Sequence, residues 1–168
     1  MYNVCEQEST LDVLTFFIGN AQCAIPISYI QGVISAKTLL NIPSRYTGKT
    51  KIINIDGNNI PVIDLERLLF KRSTPVIKEL ILILGLRSKR VGFLIGRISK
   101  LLKLEHYHLK YYPKSLGGIY DYLYGIYNYG GQDIMVLNPG QLFNCDQDLI
   151  MSILQEKKLV QERRLAIV

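Results

Sequence analysis

Apolar residues fall along this chain in short runs punctuated by glycine, asparagine and proline, a pattern that predicts many strands and few helices. Leu14 to Ile18 and Cys23 to Ile27 flank Gly19-Asn20 and read as a hairpin. Lys51 to Ile55 and Asn59 to Ile63 form another across Asp56-Gly57, a pair suited to a tight turn with positive φ. Leu80 to Leu84 and Val91 to Ile95 repeat the opening hairpin around Arg87-Ser88. Ser28 to Ser35 reads as a helical turn or a further strand, Leu65 to Phe70 as a short helix, and Lys71 to Thr74 with Pro75 as the close of a first module. Short strands at close spacing, each ended by glycine, point to small barrels. From Asp146 to Arg164 the period becomes helical, with Leu149, Ile150, Ile153 and Leu154 on one side, a helix that packs on a barrel or projects as a tail.

The pattern occurs twice. Residues 53–69 match residues 127–143 without a gap at an offset of 74, sharing a strand, a glycine turn, an apolar strand and a short helical turn that ends in two apolar residues. Upstream, Ala24 to Ile30 matches Gly92 to Ile98 at an offset of 68. Two copies in the same order predict two similar modules, the difference in offset being absorbed by a loop. Ile60, Val62, Ile134 and Val136 then hold equivalent inward positions in apolar cores.

Composition adds few candidates for chemistry. A chain of 168 residues with 48% hydrophobic content fills a core, and no apolar run is long enough to cross a bilayer. Met1 to Thr10 carries acidic rather than basic residues before the first apolar stretch, which argues against a secretory signal. Cys5, Cys23 and Cys145 are odd in number and widely spaced, and read as reduced thiols of a cytosolic protein. His106 and His108 would share one face of a strand, but no third metal ligand lies near in sequence. Asp64 and Glu66 read as the N-terminal charge of the helix after Ile63 rather than as an acid–base pair. There is no phosphate-binding glycine loop and no nucleophile elbow, so no catalytic, cofactor or metal residues are expected.

Charge is unevenly spread. Lys and Arg against Asp and Glu number seven to six over residues 1–75, eight to two over 76–112, and five to six beyond. Arg87, Lys89, Arg90, Arg97, Lys100, Lys103 and Lys110 therefore suggest a basic face for an acidic partner, nucleic acid or anionic membrane, or else a strand edge guarded by cations. Tyr120, Tyr122 and Tyr124 would share a strand face, with a bulge after Gly125 before Tyr127 and Tyr129. Such tyrosines stack on single-stranded nucleic acid or, more commonly, pack across strands.

Taken together the segments resemble the CheW-like domain, a family found in the bacterial chemotaxis coupling protein CheW, in CheV, and at the end of the histidine kinase CheA. The family's apolar opening strand, "xxIPI…V" segment, G-V-x-N-L-R-G turn, P-V-[IV]-D-L strand and V-G-[LF]-[LV]-V-D segment correspond to Leu14 to Ile18, Ala24 to Ile30, Lys51 to Gly57, Pro61 to Leu65 and Val91 to Gly96. A closing segment appears as Gly125-Ile126 and Ile134 to Leu137, and Ile60 to Leu65 is the most specific piece. The resemblance runs from about Leu11 to Asn144. It implies a mainly β fold of two five-stranded SH3-like barrels sharing a core, the first over about residues 11–75 and the second over about 76–144, followed by a C-terminal helix or tail at 145–168.

The function it implies is that of a non-enzymatic, cytoplasmic adaptor at membrane-associated receptor arrays, bridging a chemoreceptor's cytoplasmic tip and the regulatory domain of a CheA-type histidine kinase, with no cofactor, no nucleic acid and no membrane insertion. Family contacts cluster near Ile30 to Ile34 and around Lys51 to Gly57, which makes Ile30, Gly32, Lys51, Ile55, Asp56, Gly57 and Gly96 the expected partner-binding residues. This chain departs from the family at four of them. Asp56 stands at the usual arginine, Lys51 at the usual glycine, and Gly32 and Gly96 at usual acidic residues. Competing readings are an auxiliary coupling protein of a pilus-motility system, and a nucleic-acid-binding β-barrel built on residues 87–110 and the tyrosines of 120–129.

Overall fold

The computed structural model describes residues 10–44, 48–72 and 78–144. Strands β1 (Thr10–Ile18) and β2 (Ala21–Pro26) make the opening hairpin, turned at Gly19 with φ +58°. A 3-10 turn at Ile27–Tyr29 leads into β3 (Ile30–Ser35), so Ser28 to Ser35 is part turn and part strand. Then come β4 (Leu40–Ser44), β5 (Gly48–Ile55), β6 (Asn58–Asp64) and the helix α1 (Leu65–Phe70). The rest of the described chain forms β7 (Leu80–Leu86), β8 (Lys89–Ile95), β9 (Arg97–Glu105), β10 (Leu109–Lys110), β11 (Leu123–Tyr129), β12 (Gln132–Leu137) and α2 (Pro139–Asn144). The C-terminal helix expected at 145–168 lies outside the described residues.

Local chemistry explains the turns. Asp56 at φ 50° and Gly57 at φ 81° give the β5–β6 hairpin its two left-handed residues, the requirement that an Asp-Gly pair meets. Asn54 fastens that turn: its carboxamide accepts from the Gly57 N–H at 3.2 Å and donates to Asn59 Oδ1 at 3.0 Å. Helix α1 begins because Asp64 Oδ1 accepts from the Glu66 and Arg67 N–H groups, at 3.1 and 3.4 Å. It stops where Lys71 adopts φ 56°. The repeat extends to these side chains. Asn128 donates to Asp133 Oδ1 at 3.0 Å, as Asn54 does to Asn59, and Asn138 accepts from the Gln141 N–H at 3.4 Å, as Asp64 does from Arg67, each at the offset of 74.

The strands form two six-stranded sheets, in the orders β10-β11-β12-β2-β1-β9 and β3-β7-β8-β6-β5-β4. Substituting β7 for β1, β8 for β2, β3 for β9 and β4, β5, β6 for β10, β11, β12 turns one order into the other. Even the register repeats: Val62 pairs in parallel with Gly92, and Val136 with Ala24, which combines the offsets of 74 and 68. The sixth strand in each sheet, beyond the five expected, is the edge strand β4 or β10.

The sheets do not follow the expected division at residue 75. One is built wholly from residues 30–95 and is here called the middle barrel; the other joins the β1–β2 hairpin to β9–β12 and is the terminal barrel. Each half of the chain thus lends its opening hairpin to the other half's sheet. A sequence repeat records which hairpins are alike but not which strands pair. Here the pairings β2–β12 and β6–β8 are parallel, and parallel neighbours are joined by long connections rather than by tight turns, which local periodicity does not reveal.

Three apolar cores result. Val13, Ala24, Leu104, Tyr127, Ile134 and Val136 fill the terminal barrel, and Ile53, Ile60, Val62, Ile81, Ile83 and Leu94 fill the middle one. Ile60, Val62, Ile134 and Val136 are all buried, as the repeat requires. The third core lies between the sheets, where Phe16, Ile25, Leu84 and Phe93 meet Leu65, Leu68 and Leu69 of α1 and Leu142 and Phe143 of α2. Each fully buried side chain of this kind contributes roughly 1.5–3 kcal/mol of transfer free energy. The two helices therefore clamp the barrels into one body. Lys78 adds a polar tie, its ammonium 2.7 Å from Asp64 and 3.2 Å from Glu66 at the start of α1.

Candidate partner-binding surfaces

The expected partner-binding residues fall at three places. Ile30 and Gly32 lie on β3, an edge strand of the middle barrel that among the described residues pairs only with β7. A register shift between them marks a bulge, and a Cβ added at Gly32 meets nothing within 4 Å, so this edge accepts a side chain without repacking. Lys51 and Ile55 lie on β5, and Asp56 and Gly57 form the exposed turn that follows. Lys51 is not part of that turn: it is half-buried in mid-strand, paired with Val62 on one side and Asn41 on the other. Three strands separate β3 from β5 in the sheet, yet Ile34 and Ile55 pack on one core, because the sheet curls into a barrel.

Gly96 sits where the chain passes from β8 to β9 and from one barrel to the other. Its N–H donates to the Phe17 carbonyl at 3.0 Å, and a Cβ there would stand 2.8 Å from that oxygen. The close backbone approach demands glycine, so Gly96 acts in the fold and presents no side chain to a partner.

The structure adds a surface that sequence reasoning missed. Leu14, Ile30 and Ile98 are half-buried against the core between the barrels, on β1, β3 and β9. The turn Ile27–Tyr29 packs on both β1 and β7 along this seam, and Ile27 is 41% exposed. Leu101 pairs in register with Leu14 and is 68% exposed. An apolar seam thus runs along the junction of the barrels, bounded by the edge strands β3 and β9. The repeat held the signal, because the offset of 68 maps Ile30 onto Ile98 and Val33, which is 36% exposed, onto Leu101. Tyr124 of β11 is tied to Tyr29 by a hydrogen bond; burial, with that neighbour, holds its phenol above the ordinary value and hence neutral.

The basic residues do not make one face. Arg87, Lys89 and Arg90 stand at the β7–β8 turn, and the buried remainder of β8, residues 91–95, separates them from Arg97. Along β9, Arg97 stacks over the Phe17 ring at 4.0 Å, Lys100 over the Tyr129 ring at 4.8 Å, and Lys103 reaches Asp12 at 3.7 Å. Lys110 is on the opposite edge of the sheet. Cations spaced along the free edge β9 match the guarded-edge reading. Tyr120 and Tyr122 are not on a strand face either, since Gly118–Tyr122 is a 3-10 helix and β11 begins at Leu123. The bulge falls between Leu123 and Gly125, and Tyr127 is buried in the terminal barrel.

His106 and His108 also lie in a 3-10 turn, where His108 Nδ1 meets Glu105 Oε2 at 3.1 Å and the two rings do not share a face. Among the described residues no group of three His, Cys, Asp or Glu is placed to hold a metal ion, and no helix is long and apolar enough to cross a membrane. Burial pushes the Cys23 thiol up to about 12, so it is inert as a nucleophile.

Comparison with known proteins agrees with this geometry. The family model of the CheW-like domain matches residues 12–147. Chemotaxis protein CheW of Helicobacter pylori is 21% identical over 142 residues, spanning 84% of this chain and 86% of that protein. Chemotaxis protein CheW of Treponema pallidum is 22% identical over 146 residues, spanning 83% and 86%. The crystal structure of the scaffolding protein TtCheW from Thermoanaerobacter tengcongensis superposes with a TM-score of 0.65 at 17% identity, covering 76% of this chain and 88% of that one. With a mainly β, two-barrel fold and a family match over most of its length, the chain belongs to the CheW-like domain family.

Proposed function

We propose that this chain is a non-enzymatic adaptor of chemotaxis signalling that joins the cytoplasmic tip of a chemoreceptor to the regulatory domain of a CheA-type histidine kinase. The observation that carries the reading is the pairing of two pseudo-equivalent barrels with an apolar seam at their junction and, apart from it, an exposed hairpin end at Asp56-Gly57. Two docking surfaces on one folded body are what a bridge between two partners needs. The family match and the relatives named chemotaxis protein CheW support the same role. On this reading the protein works in the cytoplasm at membrane-associated receptor arrays.

Each surface suits one partner. The seam of Leu14, Ile27, Ile30, Ile98 and Leu101 offers an apolar strip for the receptor tip, and interfaces of this kind are carried by a few buried anchors. The β5–β6 end, with Ile55 half-buried beside the exposed Asp56, offers a charged rim for the kinase. Asp56 in place of the family's arginine changes the local charge by two units, so it discriminates among kinases by repulsion as much as by attraction. The test is a pair of variants measured by calorimetry against both partners from the chain's own organism. Ile98→Glu is expected to abolish receptor binding and spare the kinase, and Asp56→Arg to weaken the kinase and spare the receptor. Loss of both affinities in either variant, or of neither in both, contradicts the two-surface adaptor.

A further inference from the structure

The apolar seam depends on an irregularity in β9. Leu14 pairs with Leu101 and Phe16 with Ile98, so two residues of β9, Ser99 and Lys100, stand opposite the single residue Thr15 of β1. That is a β-bulge, and bulges re-aim the side chains that follow them. Directly paired residues of an antiparallel ladder point to the same side, and so do residues two apart on one strand. Leu101 therefore shares the face on which Leu14, Phe16 and Ile98 meet the core between the barrels, although it stands three residues from Ile98. Continued without the bulge from the pair Phe16 and Ile98, the ladder would set Lys100 opposite Leu14 and Leu101 opposite Val13, whose side chain fills the terminal barrel. Leu101 owes its place on the seam to the extra residue.

One side chain holds that bulge. Thr15 is fully buried, and its hydroxyl donates to the Lys100 carbonyl at 2.9 Å while accepting from the Lys100 N–H at 3.1 Å. Both bonds stand in for the ladder pair that the extra residue displaces, since Thr15 is in register with Ala24 on β2 but with no residue of β9. The middle barrel supplies the contrast. At the offset of 68 Thr15 maps onto Ile83 and Lys100 onto Gly32, and β3 carries its bulge at the same point, but there Gly32 keeps its pairing with Ile83. An apolar residue stands where the ladder is kept, and a hydroxyl where it is lost. No second neighbour steadies β9, which is an edge strand of its sheet. Lys100 meanwhile sends its ammonium over the Tyr129 ring of β11, at 4.8 Å, and leaves the seam to Leu101.

We infer that Thr15 is a positioning residue of the adaptor: without touching a partner, its hydroxyl fixes the β9 register in which Leu101 stands beside Leu14 and Ile98, and so sets the affinity of the seam for the receptor tip. This role rests on the reading of the seam as the receptor's surface. Thr15→Val keeps the shape of the side chain and deletes both bonds, whereas Thr15→Ser keeps the bonds. Lys100 is exposed, so in Thr15→Val its freed N–H and carbonyl are taken up by water and nothing holds the bulge.

Two readouts separate the possibilities. The NOE between the Leu14 and Leu101 methyl groups reports the register with no partner present, and calorimetry reports affinity for a receptor cytoplasmic fragment and for the kinase regulatory domain. Thr15→Val is expected to lose the NOE and to bind the receptor fragment tenfold or more weakly, with kinase affinity within twofold of the parent. Thr15→Ser is expected to match the parent in all three measurements, and Thr15→Ala to repeat the loss should Thr15→Val not fold. An NOE that survives without the hydroxyl overturns the inference, as does receptor affinity unchanged in a variant that has lost it. Equal weakening toward receptor and kinase overturns it too, because the effect is then on the fold at large. So does a Thr15→Ser protein as weak as Thr15→Val. Failure of the adaptor reading looks different: there Ile98→Glu leaves receptor binding intact while the NOE still responds to Thr15→Val.

Discussion

Replacing Lys78 by methionine removes an ammonium while keeping most of the apolar stem, and the structure sets the size of the loss. The ammonium lies 2.7 and 2.8 Å from the two oxygens of Asp64 and 3.2 Å from Glu66. Side-chain exposure is 9% for Lys78, 14% for Asp64 and 2% for Glu66, so solvent screens the cluster weakly. Breaking a buried pair by deleting one partner costs about 3–5 kcal/mol, most of it the burden of an uncompensated charge. Asp64 keeps its two amide bonds from α1 and is the least buried of the three, which argues for the lower end, about 3 kcal/mol. With a urea slope of about 2 kcal/mol per molar, the unfolding midpoint falls by about 1.5 M. Adding Glu66→Gln to Lys78→Met removes one of the two carboxylate charges that faced the ammonium and should recover about 1 kcal/mol or more, a coupling that a double-mutant cycle reads directly. A loss below about 0.5 kcal/mol for Lys78→Met refutes the reasoning, since it equals the effect of an exposed pair.

Val62→Ala and Val136→Ala, at equivalent positions in the two barrels, should each cost about 1–3 kcal/mol in denaturant melts, and clearly unequal losses would mean that the barrels are not equivalent in packing. Gly92→Ala should cost about 1–3 kcal/mol, because its Cβ would stand 2.8 Å from Ile81 Cγ2 and 3.1 Å from Val62 Cγ2, although the equivalent position already holds Ala24. Converting Lys51→Gly and Asp56→Arg together should shift affinity from the native kinase toward a conventional one, by an amount that shrinks as salt is raised. The same double variant should lose about 1–2 kcal/mol of stability, as Lys51 is in mid-strand and residue 56 holds a positive φ, so binding is to be compared where both proteins are folded.

Much of this fold was legible in the sequence because its signals are local. Gly19-Asn20 and Asp56-Gly57 announce hairpins through the φ values their turns require, and Asp64 announces α1 through the carboxylate that caps its first turn. The offsets of 74 and 68 extend to register and side-chain hydrogen bonds. What was not legible is non-local. Periodicity does not reveal that the β1–β2 hairpin pairs with β9 and β12 rather than with the strands that follow it. The site was partly legible for the same reason. Ile30, Gly32 and the Asp56-Gly57 turn lie on exposed or open edges, whereas Gly96 is held against the Phe17 carbonyl. Leu14, Ile98 and Leu101 became a surface only when two distant strands came side by side. The run of cations from Arg87 to Lys110 looked continuous along the chain, but β8 and the sheet order disperse it.

The central claim is that one chain holds two partners at once. Its most direct test is the mass, by size-exclusion chromatography with light scattering, of a mixture of this protein, a receptor cytoplasmic fragment and the regulatory domain of a CheA-type kinase, all from its own organism. The adaptor account predicts a ternary species that forms only when this chain is present and is lost with Ile98→Glu. If no mixture with any receptor and CheA-type kinase of that organism yields more than the separate components, the account is contradicted.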